Sequence, residues 1–114
     1  MQNNESAACN SSGDGRFRPG SVVLLSLANP REKFWGTILE LSPTGVAVCG
    51  IDLASFDDTL RMIRHEEPVD PSSVFFPMHR VERIELDIPS GDIPSLSQRF
   101  ESGTGLELKT FLRL

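Results

Sequence analysis

"FFPMHRVERIELD", residues 75–87, is the stretch on which the fold turns. Phe75, Phe76 and Met78 form one apolar segment, Val81, Ile84 and Leu86 another, and only His79 and Arg80 stand between them. Both segments have the length and the aromatic and β-branched content of strands. The expectation is two short strands meeting at a tight polar corner.

Working outward towards the N-terminus, three more strands are expected. Residues 22–27, "VVLLSL", follow the Pro19-Gly20 turn signal and stop at Asn29-Pro30. Residues 33–41, "KFWGTILEL", carry Gly36 in their interior, where a glycine marks a bulge or sharp bend. After the short turn Ser42-Pro43-Thr44-Gly45 comes "VAVCGIDL", residues 46–53. Connections this short join neighbours in an antiparallel meander.

Residues 54–66 interrupt the strand pattern. Phe56, Leu60 and Ile63 share one helical face, Ser55 stands at the N-cap position, and Asp57 and Asp58 suit the positive end of the helix dipole. Arg61, Arg64 and His65 suit the other end. Beyond residue 90, Ser95 is expected to cap a helix carrying Leu96 and Phe100 and ending at Gly103. Thr104 and Glu107 form a capping-box pattern before Leu108, Phe111 and Leu112.

The fold class read from this pattern is mainly β: a small, strongly bent, five-stranded antiparallel barrel with one inserted short helix and a short helical C-terminal tail. Residues 1–15 read as a disordered leader, residues 16–90 as the barrel with its helical insertion at about 54–66, and residues 91–114 as a loop with short helices.

Composition narrows the function classes. The chain has 114 residues, 39% of them hydrophobic, and a formal charge of −5, so its overall field opposes attraction to phosphate backbones. Acidic side chains still outnumber basic ones within residues 16–90, which confines any nucleic-acid site to a local patch. No apolar run is long enough to span a bilayer and no secretory signal is visible, so the expected address is the cytoplasm. Cys9 and Cys49 read as free thiols, and neither His65 nor His79 has a cysteine near it in a zinc spacing. The acidic residues Asp57, Asp58, Glu66, Glu67 and Asp70 match no calcium loop and read as a solvated face. No nucleophile or phosphate-loop motif appears, so the chain reads as a non-enzyme without cofactor or metal.

Two stretches carry a family resemblance. "KFWGTILEL" (33–41) and "FPMHRVERI" (76–84) resemble the second strand and the last two strands of the Sm-like family, the small bent barrels of Sm proteins and Hfq-type bacterial RNA chaperones. His79 then falls on the family's histidine, while Pro77 and Met78 replace the Tyr and Lys beside it and Ser42 replaces the expected acidic residue. The resemblance implies an RNA-binding ring whose subunits join by their fourth and fifth strands, with His79, Arg80 and Arg83 as contacts. The alternative is a protein-interaction module using the helical insertion and an aromatic face. Phe34 and Trp35 point to opposite sides of their strand, one into the core and the other, with Trp35 as candidate, towards a partner. "ELSPTGVAV" (40–48) also resembles the Asp/Asn-x-Ser-x-x-Gly segment of PilZ domains, through Glu40, Ser42 and Gly45. That family's Arg-x-x-x-Arg step is replaced here by Arg16-Phe17-Arg18, and cyclic dinucleotide binding ranks below the other readings.

Overall fold

The computed structural model describes residues 16–112. The expectation of a disordered leader therefore lies outside the described residues. Five strands form one antiparallel sheet: β1 (Val22–Leu27), β2 (Glu32–Ser42), β3 (Gly45–Asp52), β4 (Ser72–Pro77) and β5 (Val81–Leu86). Their order across the sheet is β4-β3-β2-β1-β5. Helix α1 (Phe56–Arg64) lies between β3 and β4, and helices α2 (Leu96–Thr104) and α3 (Leu108–Leu112) follow β5.

The sheet is not closed into the expected barrel: β4 and β5 are its two edges and no ladder joins them. It is nevertheless rolled. Pro77 lies level with Gly45 and so with Ser42 at one end of β2, whereas Val81 lies level with Leu27 and so with Glu32 at the other. In a flat sheet those two ends of β2 would be about 33 Å apart at ~3.3 Å per residue. The chain from Pro77 to Val81 reaches about 15 Å at most. Only a sharply bent β2 reconciles the two.

The bend has two visible causes. Gly36 faces Gly50 across the β2–β3 ladder, and a Cβ on either would overlap a backbone oxygen of the opposite strand, Cys49 O or Trp35 O. The bulge falls three residues beyond Gly36, with Leu39 left unpaired between Ile38–Val48 and Glu40–Ala47. Gly36 thus permits close approach of the strands, and Leu39 supplies the extra residue that turns them.

Rolling divides the apolar residues into two cores. Inside the roll lie Val23, Leu25, Leu27, Phe34, Ile38, Val46 and Val48, joined by Val74 and Phe76 from β4 and Val81, Ile84 and Leu86 from β5. Phe34 and Phe76 meet edge to face at 5.5 Å although their strands are not neighbours. On the outer face, Trp35 and Ile51 pack under the helices against Phe56, Leu60, Phe100, Leu108, Phe111 and Leu112. The C-terminal tail is therefore a structural layer.

Two details differ from the sequence reading. α2 runs on past Gly103 and ends at Gly105, which adopts the left-handed conformation (φ 77°) that favours glycine. Thr104 is the last residue of α2, with its hydroxyl donating to Phe100 O, so it does not cap α3. Ser95 does cap α2, in a full capping box with Gln98. At α1, Ser55 occupies the N-cap position without a side-chain cap bond, and a 3₁₀ turn (Leu53–Ser55) leads into the helix.

Candidate binding surface: the β4–β5 joint and the sheet edges

The joint between the edge strands is a single 3₁₀ turn, Met78–Arg80. It is held by the backbone, Met78 N–H donating to Thr44 O and Ala28 N–H to Arg80 O, both at 2.8 Å. Arg80 completes the attachment. Its Nη1 donates to Ala28 O and Pro30 O, each at 3.1 Å, and its Nη2 pairs with Glu32. The guanidinium also lies 5.9 Å from the centre of the Phe76 ring. One side chain thus ties the β1–β2 turn to the β4–β5 joint, and its side chain is only 15% exposed. The planar fork of an arginine is what spans three oxygens at once.

The four residues expected to contact RNA or a partner do not form one surface. His79 is exposed at the joint. Arg83 is exposed on β5 and pairs with Glu85 at 2.6 Å. Arg80 has its donors directed inward, as a fastening. Trp35 corrects the sequence reading outright, because it is fully buried. Its indole meets Phe56 edge to face at 5.3 Å and Phe100 at 5.8 Å. Phe34 is buried too, inside the roll. Strand alternation does not separate core from surface here because the helices cover the sheet's other face, so a strand with two buried sides reads as a continuous apolar run.

A residue the sequence reading passed over holds this arrangement together. The Asp87 carboxylate, just past β5, accepts from Trp35 Nε1 (3.0 Å), Leu96 N (2.9 Å), Ser97 N (2.8 Å) and Ser97 Oγ (2.6 Å). It therefore sits on the first turn of α2, where the free N–H groups and the dipole favour a negative charge. Its place is set by the docking of α2, which no local pattern announces.

The edges themselves are unlike. β5 carries Glu82, Arg83 and Glu85, and Glu82 is extra in its ladder, since Ser26 faces Arg83 while Leu27 faces Val81. Charges and bulges both discourage further strand pairing. β4, "SSVFFP", has no charged side chain, and Phe75 is 55% exposed. Pro77 at its end is the one protecting device on that strand.

Asp57 pairs with Arg99 and Asp58 with Arg61, each at 3.2 Å. Among the described residues no cluster of His, Cys, Asp and Glu could hold a metal ion, and no helix is long and apolar enough to cross a membrane. Cys49 is a buried free thiol. Within residues 40–48, Ser42 Oγ lies 2.9 Å from Thr44 Oγ1 and accepts from Thr44 N at 3.3 Å, closing the β2–β3 turn. No family model, curated protein or solved structure matches the chain.

Proposed function

We propose that this chain is a non-catalytic binding module that works by adding a partner strand to the free edge β4. The observation that carries this reading is a six-residue edge strand with no charged side chain and an outward Phe75. Unpaired N–H and C=O groups along such an edge are a template for another strand. The Sm-like resemblance supplies the partner: β5 of a second copy, which would join rolled sheets edge to edge into a closed ring. Among the described residues neither β4 nor β5 has a second strand neighbour, which supports this pairing, while the charges and bulge of β5 weigh against it.

RNA binding on the ring is a second reading. It is supported by His79 and Arg83 on the surface, and weakened by the engagement of Arg80 and the net negative charge. Size-exclusion with light scattering tests the first reading. A closed oligomer that Phe75→Lys converts to folded monomer is the expected result; a wild-type monomer at high concentration sinks it. Gel shift with single-stranded RNA at low salt tests the second, which fails if His79→Ala with Arg83→Ala binds as well as wild type.

A further inference from the structure

Ser26 is the one β1 residue flanked by a cation on both sides. Across the ladders it faces Lys33 of β2 and Arg83 of β5. Residues directly opposite in antiparallel strands project to the same face. Lys33 and Arg83 therefore straddle the serine, their Cβ atoms about 10 Å apart over two strand spacings. Both side chains are long enough to bring their charged ends together above it.

The serine itself is out of place on that face. It is 93% buried, at 7% exposure, and its hydroxyl has no hydrogen-bond partner among the described residues. A buried hydroxyl left unpaired is destabilising. Its two neighbours cannot relieve the donor half of that deficit, because ammonium and guanidinium groups only donate. Ser26 therefore lacks an acceptor for its proton, and Arg83 has only the exposed Glu85 carboxylate. Ser26 also lines an open depression of about 500 Å³, walled further by Arg31, Lys33, Glu82 and Arg83.

We infer that this depression binds the phosphate of a small phosphomonoester, or free phosphate, between Lys33 and Arg83 with Ser26 donating from beneath. Arg31, Lys33 and Arg83 outnumber Glu82 and Glu32 on its rim, an excess that suits an anion able to take several charge-assisted bonds. Glu32, the other acid on the rim, is already neutralised by Arg80. Glu85 holds Arg83 only in an exposed pair, of a kind worth little in water, so the guanidinium is free to turn to a stronger acceptor. Because the hydroxyl is buried, the anion reaches it as the flanking side chains swing aside and is then enclosed by them. The volume exceeds that of phosphate alone and leaves room for an organic body.

The test is amide NMR of the full chain at low ionic strength, titrated with inorganic phosphate, with glycerol 3-phosphate, and with chloride at matched ionic strength. Shifts at Ser26, Lys33 and Arg83 that phosphate causes and chloride does not are expected. Tighter binding of glycerol 3-phosphate would identify the ester as the ligand, and equal or weaker binding would identify the free anion. Ser26→Ala removes an unpaired hydroxyl, so it keeps the fold while weakening binding about tenfold or more, the loss of one hydrogen bond to a charged group. Glu82→Gln, by removing a competing charge, is expected to tighten it. The inference is overturned by phosphate and chloride acting alike through the millimolar range, or by Ser26→Ala binding phosphate as well as wild type.

Discussion

Arg80 and its neighbour His79 sit side by side in the same turn and are expected to respond oppositely to truncation. Arg80→Ala strips donors from Ala28 O and Pro30 O and leaves the half-buried Glu32 without its cation. Lost charge-assisted bonds of this kind put the cost at about 2–4 kcal/mol in urea unfolding. Arg80→Lys is expected to recover part of it, since one ammonium cannot span the three acceptors. His79→Ala, at an exposed position, is expected to change stability by less than about 0.5 kcal/mol. Equal effects of the two alanines would refute the fastening role. Asp87→Ala is the second residue-scale prediction: four donors lose their acceptor, at a cost of about 2–3 kcal/mol. The chain's single tryptophan reports it directly, because Trp35 loses its own partner.

Within the elements, the bend of β2 and β3 depends on the absence of two side chains. Gly50→Ala is expected to destabilise by about 2 kcal/mol or more, since the new methyl would meet the Trp35 carbonyl and neither strand can retreat without opening the roll. Gly36 was legible in the sequence as a special position, because a glycine amid β-branched and aromatic residues needs a reason. Its partner Gly50 was not, since register decides which two glycines meet. For α2, the Ser95–Gln98 capping box was half legible: serine before an apolar helical face marks an N-cap. Ser95→Ala is expected to cost about 1 kcal/mol by thermal or urea unfolding. A change near zero would mean that Asp87 alone satisfies the first turn.

For the whole molecule, the second core makes the C-terminal helices obligatory. Phe100, Leu108, Phe111 and Leu112 cover the outer face of the sheet, and Phe100 is in ring contact with both Trp35 and Phe111. A chain ending at residue 94 is expected to expose Trp35, shift its fluorescence to the red, bind a hydrophobic dye and aggregate. A soluble truncation with unchanged emission would contradict the two-core account. Arg99 strengthens the same layer from outside, pairing with Asp57 and lying 4.9 Å over the Phe56 ring, and Arg64 donates to Gly103 O.

Local pattern alone determined the number of strands, the antiparallel β1–β2–β3 meander, the inserted helix and the cap of α2, because strand alternation, turn residues and caps act within a few residues of one another. Tertiary structure decided the rest: that β2 is buried on both faces, that Trp35 is core, that Arg80 fastens two turns some 50 residues apart, and that Ser26 lies between two cations. Those outcomes depend on which distant segments are brought together. Burial, pairing and charge neighbourhood are properties of that meeting, and they have no signature in the order of residues along any single strand.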